Sequence, residues 1–235
     1  MPSFLRRHFC FQGKLQDKPG LLTETQGDIK NQYIAAKEEA VLSEMLEIRW
    51  HGRGGQGAKT AALLLAEAAA AVGKYVQAFP EYGPERMGAP VVSYNRVSAE
   101  PITIHSAVSN PKYVAVLDST FIGSIDFTSG MPKDGVLIIN SNASTNEIRE
   151  RMGLSGTQIK IHTLDASRIS EESIGKAIPN TPMLGAMVAA TGIMGLKELL
   201  EDTRLRLERK FRNRPELVTG NLEAITRAYK GVQNQ

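Results

Sequence analysis

One stretch of the chain limits the possible folds more than any other: a short apolar run, a glycine-rich turn and a long alanine-rich run. The first run, Ile48 to His51, predicts a buried strand, and the last, Ala58 to Val72, predicts a helix that is apolar on most faces. The turn between them has four glycines in six positions, Gly52-Arg53-Gly54-Gly55-Gln56-Gly57. A buried strand, a tight turn and a buried helix in this order are typical of the start of an α/β domain.

The turn has the composition of an anion site. Its glycines bring backbone N–H groups together in a concave loop, and the following helix contributes the positive end of its dipole. Arg53 and Lys59 make the same place cationic, so a phosphate or carboxylate of a larger ligand would fit there. A second interpretation stays open, in which the glycines serve only to let the strand and the helix pack closely.

A dinucleotide-binding motif matches the turn only in part. Gly52–Gly57 satisfies G-x-G-x-x-G between a strand and a helix, which is the context in which that motif binds a dinucleotide. The motif also needs an acidic residue at the end of the second strand to hold the ribose. The predicted second strand, Tyr75–Phe79, ends without one, and Glu81 follows only after Pro80. A free-standing NAD-binding dehydrogenase of the Rossmann type is therefore an alternative and not the leading hypothesis.

The phosphate-loop motif of NTPases also fails at one position. Gly52 and Gly57 have its spacing, but Ala58 separates Gly57 from the pair Lys59-Thr60. One extra residue turns the lysine by about 100° around the helix, away from a bound phosphate. Asp118, at the end of a predicted strand, could be proposed as a Mg²⁺ partner, but no metal-binding pattern accompanies it. An NTPase is therefore disfavoured.

From Leu46 onward the chain alternates short apolar strands with helices. The further predicted strands are Tyr75–Phe79, Val91–Val97, Ile102–His105, Tyr113–Leu117, Val136–Asn140 and Ile159–Leu164. The further predicted helices are Thr145–Met152, Ile169–Ile178, Pro182–Met194, Leu196–Arg212 and Pro215–Lys230. This alternation predicts a three-layer α/β domain over residues 46–235, with a mostly parallel sheet and helices on both faces. The turn Ser98-Ala99-Glu100-Pro101, between two β-rich runs, adds a predicted β-hairpin.

Two segments depart from this pattern. Residues 1–45 show little periodicity and form either a disordered leader or an extended N-terminal arm that wraps a partner. The stretch from Pro80 to Pro90 is long for a connection inside an α/β unit, and loops of this kind are often binding loops. Its candidate binding residues are Glu81, Tyr82, Glu85, Arg86 and Met87. The alternative for this stretch is a surface turn with local Glu–Arg pairing.

Composition narrows the classes of function. The 235 residues carry a net charge of +3 without a polybasic block, which argues against nucleic-acid binding. The single cysteine, Cys10, cannot complete a disulfide, a zinc site or an iron–sulfur cluster, and it favours a reducing, cytoplasmic location. No run is long and apolar enough for a membrane span. His51, His105 and His162 fall near strand ends, but no carboxylate or cysteine pattern joins them, so no catalytic residue and no metal ligand is predicted.

Several longer motifs resemble one enzyme family. They are Ile48–Gly57, Gly73–Pro90, Ser106-Ala107-Val108, Asn110-Pro111 and Ile178–Ala186. In this order, over about Leu46 to Tyr229, the chain resembles the gamma subunit of 2-oxoacid:ferredoxin oxidoreductases, of which pyruvate synthase is the best known. Residues 1–45 lie outside the resemblance.

The resemblance implies a function that no single motif supplies. Enzymes of this family oxidatively decarboxylate a 2-oxoacid, with pyruvate as the default, and use coenzyme A to form acyl-CoA, CO2 and electrons for ferredoxin or another acceptor. Thiamine diphosphate, [4Fe-4S] clusters and Mg²⁺ would be held by alpha, beta and delta-type partner subunits and none by this chain alone. The chain would then be a scaffold subunit of a hetero-oligomer, without a complete active site of its own.

The resemblance also gives the two candidate sites an expected place. We expect Gly52–Gly57 and the loop Glu81–Pro90 to lie at contacts with the thiamine-binding subunits or near the path of coenzyme A. A purely structural assembly subunit, which touches no ligand, is a further alternative.

Overall fold

The computed structural model describes residues 45–81 and 88–235, which contain one mixed sheet and the layers that cover its two faces. The six strands within these residues are β1 (Leu46–Arg53), β2 (Tyr75–Pro80), β3 (Pro90–Ser98), β4 (Tyr113–Val116), β5 (Val136–Asn140) and β6 (Lys160–Leu164). The six helices within them are α1 (Ala58–Ala71), α2 (Thr145–Arg151), α3 (Ala166–Ile174), α4 (Asn180–Thr191), α5 (Leu196–Lys210) and α6 (Pro215–Gln233).

The sheet has the strand order β2-β3-β1-β4-β5-β6. Strands β1, β4, β5 and β6 pair in parallel, while β3 pairs antiparallel with both β1 and β2. The predicted α/β class, with a mostly parallel sheet covered on both faces, is confirmed. The predicted arm, residues 1–45, lies outside the described residues except for Met45.

The predicted β-hairpin was placed on the wrong pair of segments. Ile102–His105 is not a strand, and the antiparallel hairpin is formed by β2 and β3, with Tyr75 opposite Ser98. The Ile104 carbonyl accepts a hydrogen bond from the side-chain Nε2 of Gln77, at 2.9 Å, and does not pair with a strand. The β-branched residues of this segment favour a strand, but the available pairing partner decides whether one forms.

Each face of the sheet has its own core. On the first face, Ile48 and Trp50 of β1 pack in one cluster with α1, α4 and α6. The buried residues of α1 are mostly alanine, which lets the helix lie close to the sheet: Ala58, Ala61, Ala62, Leu65, Ala66, Ala68 and Ala69. The second core joins β4 and β5 to the segment after β4 and to α2: Val114, Val116, Leu137, Ile139, Phe121, Phe127 and Ile148.

A buried polar contact links β1, β3 and α1 within the first core. The indole N–H of Trp50 donates to Asn95 Oδ1 at 2.8 Å, and Asn95 Nδ2 donates to the Ala62 carbonyl at 2.9 Å. Trp50 and Asn95 are both fully buried, so each of these groups depends on the other for its hydrogen bond.

We expect Asn95→Leu to lower the free energy of unfolding by about 2 kcal/mol, because it leaves the buried indole N–H without an acceptor. Urea unfolding measures the change, and Trp50 fluorescence reports it because Trp50 is the only tryptophan. The control is Asn213→Leu at an exposed turn position, where we expect a change below about 0.5 kcal/mol. Equal effects of the two substitutions would contradict the assignment.

Candidate functional site

The glycine loop lies at the end of β1, the strand at which the order of strands in the sheet reverses. After β1 the chain adds β2 and β3 on one side of that strand and β4 to β6 on the other. In open α/β sheets, the crevice outside the carboxyl ends of two such neighbouring strands is the usual place for ligands. Here that crevice lies between Gly52–Gly57, which begins at the end of β1, and Asp118-Ser119-Thr120, which follows β4.

Two glycines of the loop have backbone conformations that favour glycine. Gly55 has φ of 101° and Gly57 has φ of 83°, both in the left-handed region. Gly57 is also a packing position, because a β-carbon there would lie 2.8 Å from Asn180 Nδ2. The start of α4 therefore rests directly on the start of α1.

Arg53 is bound on several sides by the chain itself. Its Nε donates to Asp118 Oδ2 at 2.6 Å, its Nη2 to Thr120 Oγ1 at 2.8 Å and its Nη1 to the Gly88 carbonyl at 3.1 Å. The guanidinium also lies over the Phe121 ring, 4.1 Å from the centroid. The cation predicted from the sequence is therefore present at the loop, but Asp118 neutralises its charge.

Gln56 folds back into the concave side of the loop. Its Oε1 accepts a hydrogen bond from the Arg53 backbone N–H at 2.8 Å, and its Nε2 donates to Asp118 Oδ2 at 2.9 Å. The amide oxygen thus holds one of the loop N–H groups that an anion would otherwise contact. Lys59, the other predicted cation, is exposed near the start of α1.

Asp118 joins these groups at the end of β4. Its Oδ2 accepts from Arg53 and Gln56, while its Oδ1 accepts from the backbone N–H of Thr120 at 2.9 Å and from the Thr120 hydroxyl at 2.6 Å. Burial acts to raise the pKa of Asp118, but these hydrogen bonds outweigh it and hold the pKa below its usual value. The carboxylate is therefore ionised at neutral pH.

Next to this network the carboxyl ends of β4, β5 and β6 border a polar crevice of about 290 Å³. Asn140 organises it, because its Nδ2 donates to the Leu117 carbonyl and to Ser167 Oγ, both at 2.8 Å. Asp165 lines the crevice as the N-cap of α3. The crevice presents amides, hydroxyls and carboxylates, and none of its lining residues is cationic.

His51 lies on the second face of the sheet, opposite Val116 of β4. Its ring is edge-on to Phe127, with centroids 4.9 Å apart, and neither ring nitrogen has a hydrogen-bond partner among the described residues. Burial, and then the nearby Arg49 guanidinium, lower the pKa of His51 to about 4. The imidazole is therefore neutral at neutral pH and is not poised for proton transfer near pH 7.

The other predicted histidines do not join this site. His105 is exposed after β3, and His162 on β6 has its Nδ1 3.2 Å from Gln235 Oε1. Within the residues that the structure describes, no group of three or more His, Cys, Asp or Glu side chains could hold a metal ion.

The structure describes one of the five candidate binding residues in the predicted binding loop. Glu81 is exposed, and its Oε2 accepts a hydrogen bond from the Tyr94 hydroxyl at 2.7 Å. Burial, followed by this bond, raises the pKa of Tyr94 to about 12. The remaining predicted residues lie outside the described residues: Tyr82, Glu85, Arg86 and Met87.

The end of the predicted binding loop, at Gly88 and Ala89, is hydrogen-bonded to the glycine turn. The Gly54 N–H donates to the Ala89 carbonyl at 2.9 Å, and the Gly88 N–H donates to the Gly54 carbonyl at 3.3 Å. The two candidate sites therefore share one edge of the sheet.

Sequence reasoning did not assign the partners of the loop. Asp118 was considered only as a possible Mg²⁺ partner at a strand end, Thr120 was given no role, and Asn180 lay only within a motif of the family resemblance. The sequence feature that could have identified Asp118 and Thr120 is their position, since polar residues directly after parallel strands meet at the carboxyl edge of a sheet. Nothing local in the sequence pairs Arg53 with a carboxylate 65 positions away.

The geometry also bears on the dehydrogenase alternative. In a dinucleotide-binding fold the second strand is the direct neighbour of the first. Here β3 lies between β1 and β2, which moves the end of β2 to about 10 Å from β1. A ribose-binding acid at that end would therefore be displaced from the glycine turn.

The fold and the site together define a doubly wound α/β subunit. Its glycine loop lies where the strand order reverses, and two side chains of that loop are hydrogen-bonded to Asp118 of the same chain. Residues 47–231 match the family described as pyruvate ferredoxin/flavodoxin oxidoreductase. The chain therefore belongs to the pyruvate ferredoxin/flavodoxin oxidoreductase family, as a gamma-type subunit of a multisubunit oxidoreductase.

Individual relatives support the same assignment. The pyruvate synthase subunit PorC of Thermotoga maritima is 44% identical over 193 residues, which cover 82% of this chain and 97% of that protein. The common gamma subunit of the pyruvate/ketoisovalerate oxidoreductases of Pyrococcus abyssi is 45% identical over 155 residues, which cover 66% and 83% of the two chains. The crystal structure of a T. maritima pyruvate oxidoreductase subunit PorC matches with a TM-score of 0.68 at 41% identity and covers 80% and 96%.

None of the helices in the described parts of the chain has the length and apolar character needed to cross a bilayer.

Proposed function

We propose that this chain is the gamma subunit of a thiamine diphosphate-dependent 2-oxoacid oxidoreductase. The assembled enzyme would decarboxylate a 2-oxoacid and transfer the acyl group to coenzyme A, with release of CO2 and transfer of electrons to ferredoxin or another acceptor. Pyruvate is the substrate that we propose first, because pyruvate is named in the descriptions of the relatives. The single observation that carries this proposal is the 44% identity with PorC over nearly its whole length.

The proposal assigns the cofactors to partner subunits of alpha, beta and delta type. Thiamine diphosphate would supply the electron sink for decarboxylation, and [4Fe-4S] clusters would carry the electrons away. Among the described residues of this chain, no three or more His, Cys, Asp or Glu side chains come together that could hold a metal ion, and we propose no cofactor site on them. Their proposed role is to shape the assembly and the approach of coenzyme A.

For the glycine loop, we propose a position beside the path of coenzyme A, at a contact with the thiamine-binding subunits. The loop lies at the switch point of the sheet, where ligands of this fold class bind. Arg53 is exposed over 37% of its side chain, so its guanidinium can reach an anionic group of the coenzyme. Gly88 and Ala89, at the end of the predicted binding loop, are hydrogen-bonded to Gly54 and extend the same surface.

Co-expression with the partner subunits tests the assembly. We expect a brown complex that contains thiamine diphosphate and reduces ferredoxin or a viologen dye only when both pyruvate and coenzyme A are present. Omission of this chain is the control and should abolish the complex or its activity. A colourless homo-oligomer that binds NAD unaided would contradict the proposal and support the dehydrogenase alternative.

Replacement of Arg53 by alanine in the assembled enzyme tests the coenzyme assignment. We expect the KM for coenzyme A to rise roughly tenfold, because a hydrogen bond to a charged group contributes about 1.5–3 kcal/mol. The KM for pyruvate should stay within about twofold, since the pyruvate site is assigned to other subunits. An unchanged KM for coenzyme A in an intact complex would contradict the proposed position of the glycine loop beside the path of coenzyme A.

A further inference from the structure

We propose that Asp118 is a positioning residue that holds Arg53 and Gln56 in the orientation in which the glycine loop meets coenzyme A. The coenzyme part of this inference rests on the proposed function, whereas the orientation of Arg53 by Asp118 is tested separately below. Asp118 itself is 90% buried at its side chain and acts through the two residues that it binds.

The carboxylate of Asp118 has two separate tasks. Its Oδ1 closes a turn with the backbone N–H and the hydroxyl of Thr120, which fixes the carboxylate at the end of β4. Its Oδ2 accepts from the side chains of Arg53 and Gln56, both of which belong to the loop after β1. Asp118 thus connects the two strand ends that border the crevice.

Asp118 fixes the guanidinium of Arg53 without using all of its donors. A guanidinium has more N–H donors than the contacts with Asp118, Thr120 and Gly88 occupy. The contact with Phe121 restricts the plane of the group further. The orientation of the Arg53 guanidinium is therefore fixed in advance, while 37% of its side chain stays exposed.

The effect of Asp118 on affinity has two components of opposite sign. Neutralising Arg53 weakens long-range attraction of an anion, while fixing its orientation lowers the entropy lost on binding. At physiological ionic strength, salt screens the long-range component at the exposed edge of the loop. The fixed orientation of Arg53 therefore contributes more to affinity than the lost long-range attraction, so removal of the Asp118 carboxylate should weaken coenzyme binding.

Asp126 provides a matched control within the same chain. Its Oδ1 accepts from the Thr128 backbone N–H at 2.8 Å and from the Thr128 hydroxyl at 2.6 Å, which repeats the turn of Asp118 and Thr120. Asp126 makes no side-chain hydrogen bond to an arginine within the described residues. The two aspartates therefore separate turn formation from the orientation of Arg53.

The experiment compares Arg53→Ala, Asp118→Asn, the double variant and Asp126→Asn in the assembled enzyme. The KM and kcat are measured for coenzyme A, and the reactivity of Arg53 toward phenylglyoxal is followed by mass spectrometry. We expect Asp118→Asn to raise the KM about three- to tenfold with little change in kcat, and to increase the modification of Arg53. The double variant should lie close to Arg53→Ala, and any further rise in KM would measure the part of the effect that Asp118 exerts through Gln56. Asp126→Asn should change neither quantity.

Three outcomes would overturn the inference or part of it. A lower KM in Asp118→Asn would show that the carboxylate competes with the coenzyme. A lower melting temperature with unchanged KM and unchanged Arg53 reactivity would make Asp118 structural only. Greater Arg53 reactivity in Asp118→Asn, together with a normal KM in Arg53→Ala, would remove the coenzyme assignment but support the orientation of Arg53 by Asp118. If Asp118→Asn does not assemble, Thr120→Val removes the hydroxyl that donates to Asp118 and accepts from Arg53. The direct contact between Asp118 and Arg53 remains, so we expect changes of the same sign but smaller size, and an unchanged KM with unchanged Arg53 reactivity would contradict the inference.

Discussion

An alanine at position 185 is expected to lower the free energy of unfolding by about 3 kcal/mol, which corresponds to a fall in melting temperature of roughly 10 °C. Gly185 lies in α4, where the helix crosses α6. A β-carbon at this position would lie 2.4 Å from the Ile225 carbonyl oxygen and 3.0 Å from its carbonyl carbon. The obstacle is helix backbone, so the added methyl group fits only if α4 and α6 move apart.

Separation of these helices would disturb more than one contact. Both contribute to the first core, in which Met183, Leu184 and Ile225 are fully buried. Close packing of this kind leaves no room for an extra methyl group without strain elsewhere. Thermal unfolding of the purified chain, followed by circular dichroism, measures the loss.

Gly231→Ala is the matched control for this substitution. Gly231 lies in α6, and a β-carbon there would meet nothing within 4 Å. Alanine is favoured over glycine inside a helix by up to about 1 kcal/mol, so this variant should be as stable as the parent or more stable. A similar loss in both variants would show that helix propensity, and not the contact with Ile225, governs the effect.

Much of the fold follows from local sequence patterns, since its main elements have strong periodicity and clear ends. The alanine-rich run predicted α1 as a buried helix, and the structure buries it against the sheet. The short helix predicted from Thr145 is α2, and Ser144 and Glu147 form a complete capping box at its start. Both features depend on residues that are close together in the sequence.

Features that depend on distant partners could not be predicted in the same way. Ile102–His105 has the composition of a strand, yet the neighbour that would have paired with it is paired with β2 instead. The helix was predicted to begin at Pro182, but α4 begins at Asn180 and takes Thr181 into its first turn. The Thr181 hydroxyl is buried and donates to Asn221 Oδ1 of α6 at 2.9 Å. In each case a tertiary contact replaced the local preference.

The candidate site shows the same division. The tight turn of the loop, with positive φ at Gly55 and Gly57, is in keeping with the strand–turn–helix pattern. The charge of the loop does not follow from that pattern, because the carboxylate that neutralises Arg53 comes from the end of β4. A sequence motif identifies a backbone shape, whereas the electrostatics of the site depend on which strands are neighbours in the sheet.

Acidification from about pH 6.5 to 4 is expected to destabilise the folded chain by about 3 kcal/mol through His51 alone. Its pKa in the folded chain is about 4, below the ordinary value of 6.5, because the ring is buried beside the Arg49 guanidinium. Between these two values the unfolded chain binds a proton at this position and the folded chain does not. Stability is therefore complete above pH 6.5 and is lost as the pH falls toward the folded pKa.

His162 should add a smaller loss of the same sign, since burial and then Lys160 lower its pKa, while the contact with Gln235 opposes the shift. Urea unfolding between pH 7 and pH 4.5 measures the slope, and His51→Leu should flatten it because leucine fills the pocket beside Phe127 without titrating. The control, His105→Gln, removes an exposed imidazole and should leave the slope as it is. An equally steep loss in His51→Leu would assign the pH dependence to other groups. The expected result would instead show that the buried imidazole of His51 makes the folded state of this chain sensitive to acid.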